Sequence, residues 1–589
     1  MTGILLTSTT SVNLDGGIEA SGHWLIGRSS HRFIGREEES NLLLKRWEEV
    51  QEGRGHMMLL SGEAGIGKSR LIQELKEQLR EQSICIETHC SPYHQQSAFY
   101  PVIDYIQRSL QFSREETNEA KRQKLERVMT RAHLEDAVPV VANLLSLPFP
   151  TSAYSTLTPQ RQREKLLQVI VSWFFSLTRH KPVLTVWEDL HWADPSTLEW
   201  LGHLIEHVVA ARLLVVLTFR PEFVPPWPTR SHLRPLTLSR FMSKDSETMI
   251  AKVVRGKKLP DEVVEQIVIK TDGVPLFVEE STKMILESGL LQEHQGAYVL
   301  TGPLPPLAIP VTVHDSLIAR LDRLGAAREV AQLGATCGRE FSYELIKAVS
   351  PLDEPSLRQA LEKLVRTEVL YPRGIGQGSQ YVFKHALIQD AAYQSLLKSK
   401  RQQYHQQIAY ALEAQFPETK EAEPELLAHH YTEAGLSAQA VPYWHKSGQG
   451  AIQRSANAEA ISHLKRALAL LPELPDNDAR VQLELALQTA LGVPLMATKG
   501  YAAPEVESAY ARARELCRHM GGTPQLFHVL GGLFAFYLVR GKLHTARTLA
   551  EQCLRLGENI GEPTFLLEAH RMLGNILIFL ASFPWRCVT

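Results

Sequence analysis

The run Gly62-Glu63-Ala64-Gly65-Ile66-Gly67-Lys68-Ser69 constrains this chain more than any other stretch. It lies between the apolar segment Met57-Met58-Leu59-Leu60-Ser61 and a helix-periodic segment that opens at Arg70 (RLIQELKEQLREQ). A G-x-x-x-x-G-K-[ST] pattern with a strand before it and a helix after it reads as a strand–loop–helix unit. Glycines let successive backbone N–H groups turn inward, and the following helix aims the positive end of its dipole at the same point. Such a nest holds phosphate. Within it Lys68 is expected to reach β and γ phosphates and the Ser69 hydroxyl to ligate Mg²⁺, while Gly62, Glu63, Ala64, Gly65, Ile66, Gly67 and Arg70 line the cradle with backbone. ATP or ADP with Mg²⁺ is the expected ligand.

The second element of such a site is a buried strand ending in acid, and Val183-Leu184-Thr185-Val186-Trp187-Glu188-Asp189 supplies it. Strands of a parallel sheet are apolar on both faces and gather ligands at their carboxyl ends. One carboxylate is expected to hold the metal and its neighbour to polarise the attacking water. Asp usually comes first in such pairs, whereas here Glu188 does. We assign Glu188 to Mg²⁺ and Asp189 to the water, with the reverse assignment as the alternative. A further apolar run, Leu213 to Phe219, ends at Arg220-Pro221. That places a cation at a strand end, either facing the γ-phosphate or simply solvated.

At 589 residues the chain is too long for one hydrophobic core. Residues 1–31 lack any period and read as a tail or linker remnant. From 32 to 235 short apolar runs at 57, 84, 183 and 213 alternate with helical patterns, the rhythm of a parallel sheet with crossover helices. Residues 236–310 are helical and end in the proline-rich TGPLPPLAIP, a boundary. Residues 311–415 give short helices and then LYPRGIGQGSQYVFKH, two strands about a Gly-rich turn, as in a winged helix. From 416 to 589 the pattern is helical, and FHVLGGLFAFYLVRGKLHTA at 527 is echoed by HRMLGNILIFLASF at 570. Gly531 and Gly574 stand roughly forty residues apart, suiting a tetratricopeptide-like helix-pair repeat. The echo stops after Phe583 without a capping helix, so truncation is expected. The fold class is thus an α/β P-loop NTPase core with a helical lid, a winged helix and a C-terminal α-solenoid.

Lys+Arg 63 against Asp+Glu 65 leaves no charge excess to attract nucleic acid or an anionic membrane. There is no apolar run of about 18 residues or more and no secretory leader pattern, so a soluble protein is expected. The six cysteines are scattered rather than paired, which suits a reducing, cytoplasmic compartment. Cys85, His89, Cys90 and His94 fall close together, but their spacing is not that of a zinc site.

Several motifs then occur in order: Phe33-Ile34-Gly35-Arg36-Glu37, the phosphate loop, EDLHWADPSTLE, TFRPEF and Gly273-Val274-Pro275. In this the chain resembles the STAND class of signal-transduction ATPases. More closely it resembles the ATPase and repeat region behind class III adenylate/guanylate cyclase domains in bacterial regulators. CSPYHQQSAFYPVIDYIQ, FKHALIQDAAYQSLL and TKGYAAPEVESAYARARELC fit as well, so the likeness runs from about 32 to 583. It implies that Arg36 lies near the base or ribose, that Arg220 senses the γ-phosphate, that Pro275 packs on the base and that His385 touches the diphosphate. Each has a plainer rival: Arg36 as a helix cap, Gly273–Pro275 as a turn, His385 as a satisfied, partly buried histidine. The resemblance further implies a nucleotide-operated switch. Its helical repeats would bind a protein or small-molecule inducer, slow hydrolysis would reset it, and ATP would promote homo-oligomers. Leading residues this few cannot house a cyclase, so no cyclase activity is expected. Two other classes are a DNA-associated AAA-type ATPase and a truncated repeat scaffold. The first is disfavoured by a single Arg in the segment 373–378, the second by the intact Lys68 and Ser69.

Overall fold

A computed structural model describes residues 34–582 apart from 114–115, 151–153, 155, 295, 303–311, 374–378 and 520–523. The tail, Phe33, most of the proline-rich boundary, the Gly374–Gly378 turn and the chain's last residues lie outside the described set. The chain divides into two units. One comprises Met1–Gln95, Phe99–Ser152 and Lys165–Phe416; the other comprises Gln96–Ala98, Ala153–Glu164 and Pro417–Thr589. The helical repeats therefore incorporate two short segments from within the span read as ATPase core.

The first unit is built on five parallel strands: β1 (His56–Ser61), β2 (Ile84–His89), β3 (Val183–Glu188), β4 (Leu213–Phe219) and β5 (Leu233–Thr237), in the order β2-β3-β4-β1-β5. β3 and β4 are buried at every position, as expected of strands covered on both faces. On one face Leu43 and Trp47 from the helix Glu37–Gln51 meet Leu71, Ile72, Leu75 and Leu79 from the helix Lys68–Leu79 over Val186 and Val216. On the other, Phe174, Trp187 and Trp200 form a tilted aromatic cluster, with 5.0 Å between the two indole centroids. Four strands coincide with the four apolar runs in the sequence. β5 does not, because Leu-Arg-Pro-Leu-Thr is a largely exposed edge strand; Pro235 is tolerated there and would not be in the sheet's centre.

After β5 come the helices Ser243–Val253, Asp261–Thr271 and Pro275–Glu287. A hairpin then forms where helix was expected: β6 (Leu291–His294) pairs with β7 (Ala297–Leu300). Gly289 and Gly296 take φ of +75° and +81°, ending the helix and turning the chain, and strands of this length are too short to announce an alternation. Next come four helices, Val313–Asp322, Ala326–Cys337, Tyr343–Val349 and Glu354–Arg366, and an antiparallel sheet of β8 (Glu340–Ser342), β9 (Leu370–Arg373) and β10 (Gln380–Phe383) in the order β8-β10-β9. The β9–β10 hairpin is the one read from LYPR and YVF; β8 had no signal of its own. Ala386–Gln394 and Lys398–Gln415 complete the unit.

The second unit stacks antiparallel helices from Pro424–Glu433 through Pro563–Ser582, each packed on the next. Glycines permit the closest approaches. A Cβ on Gly492 or Gly532 would come within 2.2 and 2.4 Å of the Tyr510 ring. The echoed pair differ: a Cβ at Gly531 would meet Met572 at 3.0 Å, whereas one at Gly574 meets nothing within 4 Å. Gly574 is thus not a close-packing position. No described helix is long and apolar enough to cross a membrane.

The helix Ser437–Gln453 offers an internal control. A Cβ at Gly448 would lie 2.7 Å from Leu464, while at Gly450 it would meet nothing within 4 Å. We expect Gly448→Ala to destabilise by about 1–3 kcal/mol. Gly450→Ala, which restricts only the unfolded chain and improves helix propensity, should stabilise by up to about 1 kcal/mol. Amide hydrogen exchange along this helix, compared between the two variants, reads the opposite signs.

Candidate functional site

β1 delivers the chain to the carboxyl edge of the sheet, where the loop Gly62–Gly67 turns into the helix Lys68–Leu79. Gly65 and Gly67 take φ of +80° and +104°, which side-chain-bearing residues adopt only at a cost. A Cβ on Gly62 would strike Ile66 Cγ2 at 2.8 Å, and Ile66 is itself pinned in the core. The helix that follows has no side-chain cap and no acidic residue in its first turn. The amides of Lys68, Ser69 and Arg70 have no intrahelical acceptor, and no acid in the helix's own first turn offsets the dipole. This donor set fits a polyphosphate.

Lys68 is buried, and its Nζ donates to the carbonyls of Gly62 at 2.7 Å and Glu63 at 3.0 Å. Burial pulls its pKa below the usual lysine value, with Asp189 opposing. The Ser69 hydroxyl donates to Glu188 Oε2 at 2.8 Å, so the hydroxyl and the carboxylate at the end of β3 already form a pair of hard oxygen ligands, suited to Mg²⁺. Glu188 is only 3% exposed. Burial, with the Glu87 carboxylate nearby, pushes its pKa up to about 7. Asp189 stands in the left-handed region at φ 61°; its N–H donates to Thr218 Oγ1 at 3.1 Å, and its Oδ2 accepts from Arg339 at 2.6 Å. Burial is the largest single influence and would raise its carboxyl, but Arg339, His191, Lys68 and His89 together outweigh it and hold Asp189 below the usual aspartate range.

The remaining expected residues divide. Arg220 lies over the Trp192 ring at 5.0 Å and 3.9 Å from Asp390, and its charge is felt by Lys68. Arg36 is buried behind the loop, donating to the carbonyls of Ile66 (3.4 Å) and Ser239 and to Glu39, with Phe241 under its guanidinium. It occupies the N-cap position of Glu37–Gln51 without making a side-chain cap. Its bonds splint the loop to the segment leading into the lid. Pro275 opens the helix Pro275–Glu287, whose second residue, Leu276, donates its N–H to Gly65 O at 3.1 Å. The preceding turn needs glycine, since a Cβ on Gly273 would sit 2.2 Å from Phe241 O. His385 precedes the helix Ala386–Gln394, kept neutral by burial and by Lys384, which bring its pKa down to about 4. Sequence reasoning missed Arg339, Thr218 and Leu276. Thr218 opens the TFRPEF run and Leu276 follows Pro275, but the groups they bond, the Asp189 N–H and Gly65 O, lie elsewhere in the chain, and Arg339 belongs to no motif.

Residues 32–216 match the AAA ATPase domain family. Across 86% of its length the chain is 29% identical to an uncharacterized protein of Rhizobium meliloti (strain 1021), and it spans half of that relative's length. Among solved structures, it is similar to a signal transduction ATPase with numerous domains (STAND) protein with a tetratricopeptide repeat sensor from Pyrococcus horikoshii. That likeness has 10% identity and a TM-score of 0.40, and covers 93% of this chain and 74% of the other. It is also similar to Cdc6p of Pyrobaculum aerophilum, with 14% identity and a TM-score of 0.29, over 62% of this chain and 96% of that one.

The raised Glu188 pKa has a definite sign. A carboxyl whose native value, about 7, exceeds its unfolded value of about 4.3 stabilises the fold fully below the lower value and loses that contribution as pH rises through the upper. In metal-free buffer Glu188→Gln should therefore gain on wild type, by at most about 3 kcal/mol, between about pH 4.5 and pH 8. Urea unfolding at both pH values measures it; a constant difference would show that Glu188 titrates normally.

Proposed function

We propose that the protein is an ATP-binding regulatory switch that hydrolyses ATP slowly. One observation carries this reading. The Ser69 hydroxyl and Glu188 carboxylate stand 2.8 Å apart beside an uncapped helix start whose first turn holds no acid. Gly62 to Arg70 would hold the triphosphate with backbone amides, Lys68 would exchange its two carbonyl partners for β and γ oxygens, and Ser69 with Glu188 would hold Mg²⁺. Bound Mg²⁺ would neutralise charge developing on the phosphates. Contact with Ser69 favours Glu188 as the metal ligand and leaves Asp189 to orient water. Its attack on the γ-phosphorus breaks the bond to the bridging oxygen and releases ADP and inorganic phosphate. Arg220 reads the γ-phosphate from the end of β4, and Pro275 borders the base from the lid. Arg36 acts through the loop backbone it splints, and His385 serves as a neutral group in the module after the lid, which we read as a winged helix.

As a switch, the protein would pass the state of this site to its helical repeats, where a protein or small-molecule inducer binds, and would assemble with further copies when ATP-bound in the cytoplasm. Leu276 on Gly65 supports this, because a lid helix fastened to the loop moves when the loop closes on a ligand.

Lys68→Ala should lower ATP affinity at least ~100-fold while leaving far-ultraviolet circular dichroism unchanged. Equilibrium binding of a fluorescent ATP analogue measures it, and undiminished affinity would place the site elsewhere. Sedimentation with ADP against a non-hydrolysable ATP analogue tests the switch: we expect a larger species with the latter, and identical profiles would leave an ATPase without one.

A further inference from the structure

Arg339 lies in the turn between the helix Ala326–Cys337 and β8, and its Nη1 donates to Asp189 Oδ2 at 2.6 Å. The two side chains are 16% and 17% exposed, so the pair is largely withdrawn from water, where separating the partners costs more than it does at a surface. The same module touches the sheet's carboxyl edge twice more. Tyr93 donates to Ala335 O at 3.0 Å, and Arg220 faces Asp390 at 3.9 Å. On its other flank it is bolted to the lid helix Pro275–Glu287. Arg320 donates to both oxygens of buried Glu280 at 2.6 and 2.5 Å, and Lys384 stands 3.6 Å from Glu279. That helix in turn begins on Gly65 O. These bonds close a ring running from phosphate loop to lid helix to downstream module and back to Asp189.

We propose that Arg339 is the latch of this ring, a positioning residue that keeps Asp189 from orienting water until the module moves, so that hydrolysis answers to whatever displaces the module. The inference rests on the reading of Asp189 as the water-orienting acid. A carboxylate polarises water through an oxygen lone pair; the guanidinium occupies one on Oδ2, and its charge makes the whole carboxylate a weaker acceptor for water. The Asp189 backbone is held in the left-handed region with its N–H on Thr218, so the acid stays on the ATPase core while the arginine belongs to the downstream module. Release therefore comes from the arginine's side. There Gly338 at φ +144° gives the turn a backbone that other residues adopt poorly, and a Cβ on it would meet nothing nearer than 3.5 Å. An arginine serving phosphates would keep its fork free; this one spends its charge on the acid.

The test uses the full chain, measuring ATP affinity at equilibrium and phosphate release at saturation. Arg339→Ala should raise kcat about 10-fold with the Kd for ATP within about 2-fold of wild type. Arg339→Lys, which keeps a cation but loses the planar fork, should fall between the two. Adding Asp189→Asn to Arg339→Ala should bring kcat below wild type. A folded Arg339→Ala with unchanged or lower kcat overturns the latch, as does a double variant that stays fast. Should Arg339→Ala fail to fold, Arg339→Lys decides alone, and a kcat at or below wild type sinks the proposal. Wild type that binds no ATP refutes the functional reading itself; wild type that binds and hydrolyses, with neither variant faster, refutes only the latch.

Discussion

A loop that turns its amides inward must leave ordinary backbone space, and in this chain two glycines at φ +80° and +104° meet that demand. Everything around the site is arranged about the shape they impose. Ile66 anchors the loop in the core, Arg36 ties its back to Ser239, and Gly65 offers the carbonyl on which the helix Pro275–Glu287 begins. The loop is less a motif on a scaffold than the point where strand, helix and lid are fixed to one another.

The electrostatics follow from position. Glu188 and Asp189 are sequence neighbours at one strand end, yet burial drives one towards neutrality while positive neighbours, Arg339 foremost, overcome burial at the other and lower its pKa. The strand's alternation separates them: Glu188 points to the Ser69 hydroxyl, and Asp189, past the strand's end in a left-handed turn, points to Arg339. Adjacent carboxylates with divided environments are a common way for one site to hold a cation and manage a proton.

Much of this was legible beforehand. Continuous apolar runs announced β1, β3 and β4 because central parallel strands are buried on both faces, β2 at the sheet's edge showed through the shorter Ile84-Cys85-Ile86, and the phosphate loop announced itself because its glycines and lysine are needed at fixed spacing. What escaped notice depends on tertiary contact. β5 is an exposed edge strand with a proline, and β6 and β7 are too short to show a period. Arg339 sits in an unremarkable Cys-Gly-Arg-Glu segment whose meaning arises only when the fold carries it to Asp189. Conversely, the echo between Gly531 and Gly574 suggested equivalent packing that the helices do not share.

The edge strand has one more consequence. Leu238 donates its N–H to Ser61 O, so in β5 the even-numbered amides face β1 and Pro235 falls on the outward row. A strand from another chain arriving on that side would meet a pyrrolidine ring where it needs a donor, and its ladder would be broken at the middle residue. At that residue the outward row is interrupted by covalent structure. A copy meeting that flank would therefore bind through side-chain surfaces, which can be reversed, and not by growth of the sheet, which often cannot.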